Sequence, residues 1–150
     1  MEQKRCNQHD SEMRQKINVL VVEDNEYYND LIFNALQQST HFVQGRMKYQ
    51  LVMHSFVDSS DCMRKIESRE FNDNDVIAFV DHNLGDEING AQIISTLKKE
   101  NCNTLAVLLS QSRIIEERST RNNYDFCVIK DTFAPALCRL YLDQYIENKF

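Results

Sequence analysis

A chain of 150 residues, 42% hydrophobic and 27% charged, is long enough for one domain with a real core and has ordinary globular composition. Its formal net charge of −6 argues against general nucleic-acid affinity, because neutralising duplex phosphates takes a basic face. No apolar run is long enough to span a bilayer, and the polar opening MEQKRCNQHDSEMRQK lacks the apolar centre of a signal peptide, so a cytoplasmic location is expected.

Residues 1–16 mix Lys4, Arg5, Arg14 and Lys16 with Glu2, Asp10 and Glu12, which predicts a flexible polar arm ahead of a single domain over 17–150. Residues 17–22 (INVLVV) are short, apolar and β-branched, the pattern of a strand buried on both faces. That run stops at Glu23-Asp24-Asn25. Tyr28, Leu31, Ile32, Ala35 and Leu36 then recur at helical spacing, with Asp24 or Asn25 as the cap. After a loop over 39–48, residues 49–56 (YQLVMHSF) fit a second strand. Asp58, Ser59 or Ser60 can cap a second helix that turns Cys62, Met63 and Ile66 inward.

Residues 71–75 (FNDND) break the pattern before a third strand, 76–80, that runs straight into Asp81. A third helix follows Gly90 with Ile93, Ile94 and Leu97 inward, and 104–109 (TLAVLL) is a fourth strand ending at Ser110. Residues 113–122 are polar and weakly helical, and 125–129 (DFCVI) form a fifth strand ending at Lys130. A closing helix over 132–148 carries Pro135 in its first turn, where a missing N–H does no harm. Its stripe of Phe133, Leu137, Leu140, Tyr141 and Tyr145 is expected to face the core.

Five strands alternating with five helices predict an α/β fold: a doubly wound (βα)5, flavodoxin-like three-layer sandwich with a parallel sheet in the order 2-1-3-4-5. In such a sheet ligands bind beyond the carboxyl ends of the strands. Those ends carry Glu23 and Asp24, Asp81, Ser110 and Lys130, all facing one crevice. Three carboxylates gathered together repel, and one would take up a proton unless a cation joined them. Mg²⁺ fits, because it prefers oxygen ligands and bridges carboxylates to phosphate. Ser110 offers a hydroxyl and Lys130 a compact charge, the groups a phosphoryl oxygen needs.

The motifs VLVVEDN, VDHNLGDEING, LLSQS and CVIKD fall in this order at these strand ends, and over about residues 17–148 the chain resembles the receiver domain of two-component response regulators, the CheY-like superfamily. The resemblance implies that Asp81 accepts a phosphoryl group from a phosphohistidine donor. It implies that Glu23 and Asp24 hold Mg²⁺, with Asp24 favoured as the direct ligand, and that the backbone carbonyl of Asn83 completes the protein's share of the metal ligands. Ser110 stands where a hydroxyl bonds the new phosphoryl group and shifts on activation. Lys130 stands where a lysine pairs with the phosphate, and Asn83 and Ser112 where side chains tune hydrolysis. The implied partners are a sensor histidine kinase or histidine phosphotransfer protein and a downstream effector protein, with homodimers through the face formed by the fourth helix, fifth strand and fifth helix. The sequence carries no effector segment up to Phe150, so the expectation is either that output runs through another protein or that the sequence is a fragment of a longer one.

Several positions depart from the family pattern. Asp131 replaces the usual proline after the lysine, where a cis bond is customary and costs a non-proline residue about 2.5–4 kcal/mol. Leu84-Gly85 replaces a Met-Pro-like pair. Gly90 falls nine residues after Asp81 rather than eight, so an extra residue bulges within 85–89. Cys127 stands where an aromatic switch residue is usual, with Phe126 sent to the opposite face by strand alternation. These departures lend weight to a phosphorylation-independent pseudo-receiver. A haloacid-dehalogenase-like phosphohydrolase is the enzyme alternative, but that family wants an aspartate two residues after the nucleophile, where this chain has Asn83. The five cysteines show no CxxC and read as reduced thiols, and neither they nor His9, His41, His54 and His82 have metal-ligand spacing. His82 is read as a loop histidine, and Tyr27, Tyr28, Tyr141 and Tyr145 as packing or surface residues.

Overall fold

The structure, a computed structural model, describes residues 15–39, 49–85, 88–101, 103–111 and 124–149. In chain order these form β1 (Gln15–Val22), α1 (Glu26–Gln37), β2 (Tyr49–Phe56), α2 (Ser59–Glu67), β3 (Asp75–Asp81), α3 (Gly90–Glu100), β4 (Thr104–Ser110), β5 (Phe126–Ile129) and α4 (Ala134–Lys149). The strands make one sheet in the order β2-β1-β3-β4-β5, every neighbouring pair parallel, as expected. Four helices are present among the described residues. The expected fourth of five, over 113–122, lies outside them, as do Ser112 and most of the expected arm. β1 begins at Gln15, two residues before the expected strand.

Alternation along each strand sorts the apolar side chains into two layers. Ile17, Val19 and Val21 of β1 join Ile77 and Phe79 of β3 and Val107 and Leu109 of β4, beneath Ile32 and Leu36 of α1 and Cys138, Leu142 and Ile146 of α4. Leu20 and Val22, then Val76, Ala78 and Val80, then Ala106 and Leu108 face the other way, against Cys62 and Ile66 of α2 and Ile93, Ile94 and Leu97 of α3. With helices on both faces, these strands are apolar at almost every position, and β3 is buried from end to end.

The helices start where the capping chemistry lies. Asn25 caps α1 by accepting from the Tyr28 N–H at 2.9 Å. Of the acid and the amide expected for that task, Asp24 is therefore spared. Asp58 caps α2, and Asn89 with Gln92 forms a reciprocal capping box on α3.

The apolar stripe of the closing helix is corrected. Phe133 is 69% exposed and Leu140 51%, with Leu137 also exposed, while Ala134, Cys138, Leu142 and Ile146 take the core positions. Tyr141 and Tyr145 do pack, half-buried, against this core, so the expected stripe holds at its last two positions and fails at Phe133, Leu137 and Leu140. On α1, likewise, Leu31 is exposed and the buried face is Asn29, Ile32 and Leu36.

Candidate functional site

The strand register aligns the carboxyl ends on one rim. Val22 of β1 pairs with Phe56 and Val80, Asp81 of β3 pairs with Leu109, and Ser110 of β4 pairs with Ile129. The next residues out are Glu23 and Lys130, so parallel pairing alone brings the acids and the amine together. The Glu23 N–H donates to the Phe56 carbonyl at 3.0 Å, and the Lys130 N–H to the Ser110 carbonyl at 2.8 Å, which carry the ladder one step beyond the strands.

Glu23 is 1% exposed and Asp81 3%. Burying two carboxylates is costly unless a cation compensates. Lys130 Nζ lies 2.9 Å from Glu23 Oε1 and 3.3 Å from Asp81 Oδ1, bridging the two. Glu23 Oε1 takes no hydrogen bond of good geometry, so the Lys130 charge is what offsets its burial. Glu23 Oε2 accepts from the Asn25 N–H at 3.1 Å, and the Asp81 carboxylate accepts from the backbone N–H of Asn83.

Asp24 stands beside this pair, exposed, and the carboxylate oxygens of Glu23, Asp24 and Asp81 come within 4.8 Å of one another. Ser110, buried, closes the rim at the end of β4. Glu23, Asp24, Asp81 and Lys130 thus meet in one place, with Ser110 set at the same rim by strand pairing and Asn83 two residues after Asp81. Ser112 lies outside the described residues.

Electrostatics follow from this crowding. Burial, reinforced by the Asp81 charge, raises the Glu23 carboxyl to about 7 although Lys130 opposes it. Burial likewise raises Asp81, against the pull of Lys130. For Lys130, burial alone would lower the ammonium pKa, but the bonds and charges of Glu23 and Asp81 together outweigh it and carry it upward. With every group ionised, three carboxylates and one ammonium leave two negative charges, the amount a divalent cation would offset.

The donor set fits a small hard divalent cation. All three side chains are carboxylates, and the exposed Asp24 leaves room for the waters that Mg²⁺ keeps. Gly85 adds to the fit: it takes φ +73°, and a Cβ there would sit 2.8 Å from Asp24 Oδ2. The left-handed turn falls at the start of the span expected to hold the extra residue, and residues 86 and 87 lie outside the described residues. Gly90 ends the loop, its N–H donating to the His82 carbonyl at 3.1 Å. A side chain at Gly90 would run into the Asp81 carbonyl.

Two contributors were not read from the sequence. Asn29, fully buried on α1, donates from Nδ2 to the Glu23 carbonyl at 3.0 Å and the Phe56 carbonyl at 3.2 Å, and accepts from Ser55 Oγ at 2.7 Å. It staples the helix to the ends of β1 and β2, where the acids begin. Its signal was available: a polar residue three before Ile32 on the inward face of an otherwise apolar helix. The second is Tyr28, whose ring lies beneath Lys130, the ammonium 4.8 Å from the ring centroid.

The departures from the family pattern have local outcomes. Among the described residues no peptide is cis, so the bond before Asp131 is trans. The Asp131 carboxylate accepts from the Phe133 N–H at 2.9 Å and its carbonyl from the Ala134 N–H at 3.1 Å, a turn that leads into α4. Cys127 packs against the α2–α3 layer, whereas Phe126 stacks on Tyr141 of α4 with ring centroids 4.7 Å apart, so the expected split of the two faces is observed.

No protein-family model matches the sequence, and no curated protein matches it. Solved structures do. The response regulator DrrB of Thermotoga maritima, an OmpR/PhoB homolog, superposes with a TM-score of 0.65 at 18% identity over 91% of this chain and 54% of its own. The receiver domain of NtrX from Brucella abortus gives a TM-score of 0.63 at 20% identity, over 86% of this chain and 98% of its own. TrrA of Thermotoga maritima, solved in complex with Mg²⁺-BeF, gives 0.57 at 18% identity, over 92% of this chain and 100% of its own. The chain therefore spans about half of DrrB but essentially the whole of the shorter receivers. It has the fold of the response-regulator receiver domains.

Proposed function

We propose that this chain is a phosphoacceptor receiver of a two-component phosphorelay. Asp81 takes a phosphoryl group from a phosphohistidine donor on a sensor kinase or phosphotransfer protein. One observation carries the reading: Lys130 Nζ stands 2.9 Å from Glu23 and 3.3 Å from Asp81, with Asp24 exposed beside them, at the one rim where a receiver needs all four.

In the transfer, an Asp81 carboxylate oxygen attacks phosphorus in line, the P–N bond to the donor imidazole breaks, and an acyl phosphate forms. The amine of Lys130 is within reach of the incoming phosphoryl oxygens, and Ser110 offers its hydroxyl to them. Mg²⁺, held by Asp24, Glu23, Asp81 and the Asn83 carbonyl, would supply charge neutralisation for those oxygens. Water later cleaves the P–O bond and releases phosphate, with Asn83 and Ser112 tuning the rate. The chain is thus a signalling domain that acts only on itself. Signal passes to an effector protein through the face that includes β5 and α4, the same face that would serve a homodimer.

The Asp131 carboxylate is engaged by the Phe133 N–H, which weakens the case for a receiver disabled by an extra acid. Incubation with acetyl phosphate and Mg²⁺, followed by intact-mass spectrometry, tests the reading. Wild type is expected to gain one phosphoryl group and Asp81→Asn none. A folded wild type that gains nothing would favour the phosphorylation-independent module, and steady turnover of phosphomonoesters would favour the phosphohydrolase.

A further inference from the structure

Lysine reaches its partners on a flexible four-carbon stem, so an amine that must meet a phosphoryl group has to be held in place. Here Lys130 has two charged partners, and both are carboxylates that a divalent cation would also draw on. The third neighbour is of another kind. Tyr28, in the first turn of α1, lies with its ring 4.8 Å from the ammonium. The ring's placement is itself fixed at the backbone, where the Tyr28 N–H donates to the capping Asn25 Oδ1 at 2.9 Å. Asn25 in turn donates its own N–H to Glu23 Oε2 at 3.1 Å. The acid, the cap and the aromatic ring are therefore one local unit.

The phenol oxygen of Tyr28 is buried and has no hydrogen-bond partner. What the residue gives the site is therefore its π face. A cation over such a face is attracted by the ring quadrupole, more strongly when both are shielded from water. Burial first, with nearby negative groups adding to it, pushes the phenol up to about 12, so the ring stays neutral and adds no further negative charge beside the carboxylates.

From this geometry we infer that Tyr28 is a positioning residue for Lys130: its aromatic face holds the ammonium at the rim and remains its partner when the carboxylates are engaged elsewhere. The inference deepens the phosphoacceptor reading and rests on it for its functional meaning, but it can be measured without any phosphoryl group.

The probe is the side-chain ammonium resonance of Lys130 in ¹⁵N-labelled protein without metal or phosphodonor, assigned by its loss in Lys130→Met. Wild type should show it shifted upfield by the ring. Tyr28→Phe, which keeps the face and discards the hydroxyl, should preserve the shift, and Tyr28→Leu should abolish it at little change in melting temperature. With acetyl phosphate and Mg²⁺, Tyr28→Leu should label Asp81 roughly 3- to 30-fold more slowly, the range that loss of a cation–π contact implies. Tyr28→Phe should label at close to the wild-type rate. Should Tyr28→Leu fail to fold, Tyr28→Met serves as the non-aromatic variant. An unshifted ammonium in wild type, or a shift that survives in the non-aromatic variant, would overturn the assignment. A shifted ammonium in a wild type that never labels would instead sink the phosphoacceptor reading and leave the ring's role standing.

Discussion

Asn29 shows how a single buried polar residue can set the geometry of charges it never touches. Its three hydrogen bonds fix the carbonyls of Glu23 and Phe56 and the hydroxyl of Ser55, and with them the direction in which the chain leaves β1. Leucine in its place would take this partner from the Glu23 carbonyl and the Ser55 hydroxyl, while the Phe56 carbonyl keeps the Glu23 N–H, at a cost of about 2–3 kcal/mol. Urea unfolding of Asn29→Leu should show that loss, and calorimetric titration should show weaker Mg²⁺ binding as the Glu23–Asp24 turn loosens. Glu23 is the complementary case. Its carboxyl titrates near 7 rather than at its ordinary 4.5, chiefly through burial, so the folded state binds the proton more tightly than the unfolded one. Stability from this group is therefore present at acid pH and is lost as pH rises from about 4.5 through about 7. Glu23→Gln removes the titration. In metal-free buffer its melting temperature relative to wild type should rise between pH 5 and pH 8. A constant difference across that range would mean that Glu23 is not held in this state.

At the scale of elements, α4 separates what spacing reveals from what it hides. Apolar residues at 133, 137, 140, 141 and 145 and at 134, 138, 142 and 146 both suit a helical face, and the packing against α1 and the sheet buries the second set, keeps Tyr141 and Tyr145 at its edge and leaves Phe133, Leu137 and Leu140 exposed. Leu142→Ala should cost about 2–5 kcal/mol by opening a cavity, whereas Leu140→Ala, on the exposed side, should stay within about 0.5 kcal/mol. Equal losses in thermal or urea unfolding would contradict the observed orientation. The strands were legible for the opposite reason. β1, β3 and β4 are buried on both faces, so an unbroken apolar run could mean little else, and the polar residue ending each run marked the rim. Caps were legible as a set of candidates, but the choice of Asn25 over Asp24 needed the backbone. That choice matters, because it leaves Asp24 exposed beside the carboxylate pair and available to a cation.

Across the whole molecule, the parallel order β2-β1-β3-β4-β5 converts residues distant in sequence into neighbours. Glu23, Asp81 and Lys130 meet because β1 and β3 are adjacent, β4 flanks β3, and β5 closes the sheet beside β4. The strand-end acids, hydroxyl and amine could be read from the sequence because each directly follows an apolar run. Tyr28, Asn29 and Gly85 could not be assigned site roles that way. Their contributions depend on a ring under an amine, a side chain spanning two strand ends, and a left-handed turn against Asp24. The same long-range construction explains how the fold can persist at 18–20% identity to solved receivers while no family model matches. A parallel sheet constrains burial and a few rim positions and leaves most of the surface free to vary.

The central claim is that this rim makes Asp81 an acceptor of phosphoryl groups in the presence of Mg²⁺. Borohydride reduction of protein treated with acetyl phosphate converts an aspartyl phosphate to homoserine, which peptide mass spectrometry can locate. The account predicts homoserine at position 81, dependent on Mg²⁺ and strongly reduced in Lys130→Met. Homoserine at another aspartate, or none in folded wild-type protein, would contradict it.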